Sequence, residues 1–176
     1  MVGRCVVGLA LLGLLGAGCQ KAAPAPDPLA YLKDSQKELP EIIGVALKEG
    51  TDFELFSLGS LGKEESKKQR KMGYESVLGS TKIKSPKLRE ELTTAFLDAA
   101  YINTASFTAC DPNFRHAIRV KYQGSNFDLL ICFECYKGAV RHKDEYLHSF
   151  QINGKPEPLF DKVLTDAGVR LAEKPK

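Results

Sequence analysis

The sequence predicts an α+β fold in which an antiparallel sheet carries its helices on one face. Apolar residues recur at helical spacing from Ser85 to Ala99. Two alternating segments flank Gly124-Ser125, the pattern of a β-hairpin. The strands late in the chain follow one another without the crossover helices that a parallel sheet requires. Helices and consecutive antiparallel strands in this order are typical of α+β domains.

The chain before the hairpin predicts one or two helices, two strands and a long helix. Tyr31 to Gly50 is helical, with an interruption at Pro40, because proline disrupts a helix interior. The apolar stripe of the second helix is Ile42, Ile43, Ala46 and Leu47. Asp52 to Leu58 alternates with period two and predicts a strand, and a second strand spans Tyr74 to Ile83 with an interruption at Gly79.

The long helix begins at Ser85, a good N-cap, with Pro86 in its first turn. Its apolar side is Leu88, Leu92, Ala95, Phe96 and Ala99. The predicted hairpin pairs Arg115–Tyr122 with Phe127–Phe133 around a two-residue turn at Gly124-Ser125. In that register Val120 faces Leu129, Ile118 faces Ile131, and Lys121 faces Asp128. One or two further strands in Tyr136–Ile152 and a short helix over Pro158–Ala167 complete the domain.

The first 18 residues predict an export signal. Arg4 supplies a positive charge, Cys5 to Leu15 is apolar, and three small residues follow. The apolar run is too short to span a bilayer, which needs about 20 residues. The segment Leu15-Gly16-Ala17-Gly18-Cys19 resembles the lipobox of bacterial lipoproteins. This resemblance implies that Cys19 is diacylated and becomes the new N-terminus. Plain secretion with cleavage near Gly18 is the alternative.

The mature chain is predicted to be a tethered domain on a membrane. Residues 19–29 are rich in Ala and Pro, a composition that stays extended and has nothing to pack. Residues 30–176 have the length of one domain. We expect a bacterial cell-envelope location with the membrane as one partner, through the lipid. In a Gram-negative host, Gln20 after the lipidated cysteine implies the periplasmic side of the outer membrane.

The charge pattern argues against nucleic acid as a partner. The whole chain carries a net charge of +3, and Arg4 leaves with the signal segment. A nucleic-acid-binding domain is expected to cluster its basic residues on one face. The dense run Lys63 to Lys71 is broken by Glu64 and Glu65, so we expect a solvated loop or an exposed helix face. Contact with anionic lipid headgroups is the alternative for this run.

Three cysteines remain in the mature domain besides Cys19: Cys110, Cys132 and Cys135. The predicted register puts Cys135 opposite Phe114, so the three thiols should gather at the open end of the hairpin. Because exported proteins fold in oxidising compartments, we expect a disulfide from Cys110 to Cys132 or Cys135. One cysteine is then left over.

Two alternatives use the same cysteines as a functional site. Cys110, Cys132 and Cys135 with His116 would supply the donor set of a zinc site, although no second metal-binding pair is present at zinc-ribbon spacing. Thiol redox chemistry at Cys132-x-x-Cys135 is the other alternative. No cofactor is expected apart from this possible zinc ion. The position of His116 beside Ile118 favours a hydrogen-bonded core histidine over a ligand.

The later half of the chain resembles a group of exported bacterial proteins of uncharacterised activity. The matching segments, in order, are Gly73-Tyr74, Val77-Leu78-Gly79, Cys110, Arg115–Arg119, Asp128–Cys135, Phe160-Asp161-Lys162 and Asp166–Val169. Ile131-Cys132-Phe133-Glu134-Cys135 is the most specific of them. The resemblance implies a shared domain and no activity.

The motifs of the common catalytic sites are missing from the sequence. It has no phosphate loop, no His-Glu-x-x-His and no dinucleotide fingerprint. We expect a non-enzymatic binding or interaction domain, stabilised by a disulfide, whose partner is an envelope protein or another envelope component.

Overall fold

The structure is a computed structural model that describes residues 39–59, 70–101, 110–143 and 145–173. The predicted signal segment 1–18, the tether 19–29 and the helix expected before Pro40 lie outside the described residues. Most of the basic run after Lys63 lies outside them as well. None of the described helices has the length and the apolar composition of a membrane span.

The described residues form an α+β fold, as predicted. The helices are α1 (Glu41–Glu49), α2 (Pro86–Ala99) and α3 (Glu157–Asp166). The strands are β1 (Thr51–Gly59), β2 (Lys71–Met72), β3 (Glu75–Lys82), β4 (Ala100–Tyr101), β5 (His116–Tyr122), β6 (Ser125–Cys132), β7 (Lys137–His142) and β8 (Glu145–Ile152). They make one sheet in the order β2-β3-β1-β5-β6-β7-β8-β4. Every neighbouring pair is antiparallel.

All three helices pack on one face of the sheet, which confirms the predicted layering. Helix α2 begins where the sequence indicates, because the Ser85 Oγ accepts a hydrogen bond from the Leu88 N–H at 3.3 Å. The main core joins residues of the helices to alternate residues of the strands. Its helical members are Ile43, Ala46, Leu47, Leu92, Phe96, Ala99, Phe160, Val163 and Leu164. Its interior is close-packed at Gly138, where a side-chain carbon would lie 2.1 Å from the Phe150 ring.

The opposite face of the sheet carries a second, smaller core. Its buried members are Phe56, Leu58, Met72, Val77, Ala117, Leu130 and Ala139. The hairpin of β2 and β3 curls towards this face. At its turn, a side-chain carbon on Gly73 would lie 3.3 Å from the Arg141 guanidinium of β7. The sheet is therefore curved, and its β2–β3 edge bends over the face that carries the smaller core.

The predicted register of the β5–β6 hairpin is wrong by two residues. Tyr122 pairs with Ser125, so the turn is Gln123-Gly124 and not Gly124-Ser125. Both turn residues have positive φ, 48° and 81°, as in a type I′ turn, whose twist matches that of the strands. Asp128 consequently faces Arg119 and not Lys121. A shift of two residues keeps every side chain on its predicted face.

Two strands were absent from the sequence-based prediction and one was predicted with a break. β2 and β4 are two residues long, too short for an alternating pattern to develop. β3 runs without a break through Gly79, and the irregularity there is a bulge in its pairing with β1. The remaining predicted helices and strands within the described residues are present, and their ends agree with the prediction to within two residues.

Candidate functional site

The cysteines meet where β5 begins and β6 ends, a region that we call the disulfide end. It comprises residues 110–116 and residues 132–137, which include the turn at residues 133–136 between β6 and β7. Cys110 and Cys135 form a disulfide with their Cα atoms 5.7 Å apart, which confirms the predicted bridge. Cys132 is free and buried, and its Sγ accepts a hydrogen bond from the Cys135 N–H at 3.4 Å. The three sulfurs thus gather as expected, although Cys135 lies in the turn and not in a strand opposite Phe114.

Separate contacts hold the residues of the turn between β6 and β7. Phe133 is buried, with its ring centroid 5.2 Å from that of His116 and 5.5 Å from that of Phe160. Glu134 is ion-paired and Cys135 is in the disulfide. Tyr136 follows with a φ of 55°, a left-handed conformation that fixes the exit of the chain into β7. Its side chain is 48% exposed.

A buried arginine links the turn to helix α3. Arg115 is 5% exposed, and one of its terminal nitrogens lies 2.6 Å from the Glu157 Oε1. The other terminal nitrogen lies 3.2 Å from the Glu134 Oε1. A buried charge needs partners of this kind, because an isolated ion is very costly to bury. Arg115 therefore holds the turn against the first residue of the helix.

His116 connects the same strand to the next turn of α3. It is 2% exposed, and its Nε2 lies 2.8 Å from the Asp161 Oδ1. Because an ionised carboxylate only accepts hydrogen bonds, the Nε2 carries the proton. The Nδ1 faces away from Asp161 and has no hydrogen-bond partner among the described residues. In the structure His116 is thus a core histidine with a carboxylate partner.

A second polar atom without a partner lies on the strand beside His116. Ser57 of β1 is the cross-strand neighbour of His116 and is fully buried. Its Oγ also has no hydrogen-bond partner among the described residues. Paired residues of an antiparallel sheet have Cβ atoms about 5 Å apart, so the two polar atoms share one small region. Neither lies in a cleft that a substrate could enter, since both residues belong to the buried core.

Lys137 places a positive charge at the segment that carries Cys110. Its Nζ donates a hydrogen bond to the Cys110 carbonyl oxygen at 2.6 Å. Lys137 is also the cross-strand partner of Cys132, so the two side chains project from the same face of the sheet. The contact fixes the segment that carries Cys110 and places an ammonium group beside the cysteines.

Zinc binding at this site would require a reduced protein. The predicted ligands were Cys110, Cys132, Cys135 and His116, and two of these sulfurs are joined in the disulfide. A cysteine binds zinc as its thiolate, so neither sulfur of the bridge can be a ligand while the disulfide persists. In the described part of the chain, no group of three or more His, Cys, Asp and Glu side chains is placed to hold a metal ion.

Arg119 lies farther along β5 and is committed to an internal ion pair. It donates two hydrogen bonds of 2.6 Å to the Asp128 carboxylate, through Nε and one terminal nitrogen. These hydrogen bonds raise the pKa of the Arg119 guanidinium above its ordinary value, against the opposing effect of burial. The guanidinium also lies over the Phe56 ring, 5.5 Å from its centroid.

Three partners at the disulfide end were not identified from the sequence: Glu157, Asp161 and Lys137. Glu157 and Asp161 are four residues apart on α3, which places both on one side of the helix. Two acidic residues on one side of a helix could pair with the adjacent basic residues Arg115 and His116, and this is the only trace of the contact in the sequence. The match between them depends on how α3 docks on the sheet, which no local pattern specifies.

Comparison of the chain with protein-family models, with curated proteins and with solved structures finds no match.

Proposed function

We propose that this protein is a lipid-anchored protein of a bacterial cell envelope whose domain binds an envelope protein. The turn at residues 133–136 would be the contact surface. The observation that carries the proposal is that this turn is held on several sides while Tyr136 projects from it. Binding through a rigid turn loses little conformational entropy, and tyrosine is enriched at protein interfaces.

The disulfide supports the export part of the proposal. Disulfides such as Cys110–Cys135 form and persist in oxidising compartments, including the bacterial periplasm. The same compartment is implied by the signal-like segment before Cys19 and its resemblance to a lipobox. An extended Ala/Pro segment after the lipid would let the domain reach a partner away from the membrane surface.

Site-specific photo-crosslinking in the producing cells tests the binding surface. A photoreactive residue replaces Tyr136 in one strain and Tyr146 in another. Tyr146 is a matched control because it is 57% exposed and lies in β8 opposite Arg141, at the end of β7 that is far from the turn. We expect a discrete adduct of one envelope protein from position 136 and none from position 146.

The variant at position 146 distinguishes a specific contact from nonspecific crosslinking to neighbouring proteins. Equal adducts from both tyrosines, or no adduct from position 136, would overturn the assignment of the turn as the contact surface. A Tyr136→Ala variant should also lose co-purification of the crosslinked protein, whereas Tyr146→Ala should retain it.

The lipid anchor is tested separately by Cys19→Ser. Without the thiol there is no site for diacylation, so the variant should leave the membrane fraction and no longer incorporate labelled fatty acid. Two acyl chains give stable anchoring, because each buried methylene contributes about 0.8 kcal/mol. If Cys19→Ser stays with the membranes to the same extent as the wild type, the lipobox assignment is wrong.

A further inference from the structure

The disulfide end contains a third sulfur beside a disulfide that it does not join. Cys132 is buried and reduced, and its Sγ accepts the backbone N–H of Cys135, the residue that is bonded to Cys110. Cys132 is the last residue of β6, and Cys135 lies three residues later in the turn at residues 133–136. The 3.4 Å contact between the Cys132 Sγ and the Cys135 N brings the two residues as close as a Cys-x-x-Cys disulfide requires.

We propose that this cluster performs thiol–disulfide exchange, with Cys132 as the internal nucleophile and Cys110 as the thiol that it releases. The Cys132 thiolate attacks the Cys135 Sγ, so that a Cys132–Cys135 bond forms and the Cys110–Cys135 bond breaks. The electron pair leaves on the Cys110 Sγ, which takes up the proton that Cys132 lost. The step is an isomerisation and needs no external oxidant or reductant.

Two polar groups near the sulfurs can stabilise negative charge during this exchange. The Cys135 N–H points at the Cys132 Sγ and stabilises negative charge there. The Lys137 ammonium group is bonded to the Cys110 carbonyl oxygen and projects from the same face as Cys132. A positive charge at this position would stabilise the thiolate that leaves on Cys110.

The burial of the three residues determines which thiol meets the solvent. Cys132 and Cys135 are 2% and 3% exposed, whereas Cys110 is partly exposed. Cys110 also lies in residues 110–115, which form no helix or strand. Once released, its thiolate is the one that can attack an external disulfide. A mixed disulfide with Cys110 then forms and one thiolate of the external disulfide leaves. The substrate class is accordingly a disulfide on another exported molecule.

Disulfide mapping of the full chain, purified with detergent from an oxidising periplasm, tests the exchange. The protein is held at mildly alkaline pH without added thiol, alkylated without denaturation, and digested. Cleavage after Glu134 separates Cys132 from Cys135, so the two linkages give different fragments. We expect a population with a Cys132–Cys135 bridge and alkylated Cys110, besides the Cys110–Cys135 form. Addition of oxidised glutathione should convert that population to glutathionylated Cys110.

Two variants provide the controls. Cys132→Ser removes the nucleophile, so its Cys110–Cys135 bridge should persist and Cys110 should be neither alkylated nor glutathionylated. Cys110→Ser should contain a Cys132–Cys135 bridge. The proposal is overturned if the wild type contains only the Cys110–Cys135 linkage, or if Cys132→Ser labels at Cys110 as readily as the wild type. The wild-type mapping alone decides the matter if a variant does not fold. The result is independent of whether Tyr136 binds a partner.

Discussion

Buried polar side chains near the disulfide end differ in whether they have a partner. Arg115 lies between two carboxylates, and His116 has Asp161 at its Nε2. The Ser57 Oγ and the His116 Nδ1 have no hydrogen-bond partner among the described residues. An unpaired buried hydroxyl has lost its bonds to water without replacing them, which costs about 1–3 kcal/mol. The buried polar side chains near the disulfide end therefore include some with ion-pair partners and some without any hydrogen-bond partner among the described residues.

This difference predicts opposite effects for two serines of the sheet. Ser57→Ala should leave the free energy of unfolding unchanged or raise it, because it removes a buried hydroxyl without a partner. Ser80→Ala should lower it by about 1 kcal/mol, because the Ser80 Oγ donates a 2.7 Å hydrogen bond to the Glu54 Oε1. Urea unfolding of the two variants measures both values. A larger loss for Ser57→Ala than for Ser80→Ala would show that the Ser57 hydroxyl has a stabilising partner.

At Glu75, we expect the free energy of unfolding to depend on pH. Burial raises the pKa of its carboxyl above the ordinary value of 4.5, and a hydrogen bond from the Phe114 backbone partly offsets this effect. The folded state therefore binds the proton more tightly than the unfolded state, and the penalty of the charged carboxylate is relieved as the pH falls through the raised pKa towards 4.5.

Glu75→Gln should accordingly be more stable than the wild type at neutral pH, and this advantage should shrink on acidification to pH 4.5. The amide oxygen can still accept the hydrogen bond from Phe114. Unfolding free energies of both proteins at the two pH values measure the change. An advantage that grows on acidification would mean that the carboxylate is stabilised in the folded state.

At the scale of elements, the β5–β6 hairpin depends on its turn. Gln123 and Gly124 both have positive φ, and glutamine is not suited to that conformation. Asn-Gly is the preferred pair for such a turn. Gln123→Asn should therefore raise the free energy of unfolding by a few tenths to about 1 kcal/mol, read from a shift of the urea midpoint. Lys121→Asn, in the extended part of β5 two residues before the turn, should not stabilise. Stabilisation by both variants would indicate a cause other than the turn.

The hairpin also shows what the sequence can and cannot specify. Helices such as α2 and the strand faces of β1, β5 and β6 follow from local periodicity, and the structure contains them. Register does not follow from it, because moving the pairing by two residues leaves the same apolar side chains on the same face. Lys121 and Arg119 are likewise interchangeable as partners of Asp128 in the sequence pattern, and only the turn conformation separates the two choices.

At the scale of the whole molecule, the disulfide closes a large loop. Cys110 and Cys135 are 25 residues apart and enclose the whole β5–β6 hairpin. The gathering of the cysteines was predictable from the hairpin, because their positions flank it. The sequence does not show that Cys110 bonds to Cys135 and not to Cys132, nor that Glu157 and Asp161 of α3 lie at this end. Both facts depend on the tertiary arrangement. Contacts between segments distant in sequence leave no local pattern, so this half of the candidate site was found only in the structure.

Reduction of the disulfide should therefore destabilise the domain substantially. Closure of a loop of this length contributes about 3–4 kcal/mol in the chain-entropy account. Unfolding with and without reductant should differ by that amount in the wild type and in Cys132→Ser, since the latter keeps the bridging pair. If reductant leaves the unfolding midpoint unchanged, the bridge contributes nothing to the fold.

In the exported protein, the disulfide end should contain one bridge and one free thiol. The most direct measurement is the intact mass of the protein taken from cells that were treated with an alkylating agent under denaturing conditions without reduction. We predict a chain two hydrogens lighter than its reduced form with one alkylated cysteine and a lipid-modified Cys19. Three alkylated cysteines besides Cys19, and no loss of hydrogens, would contradict the account.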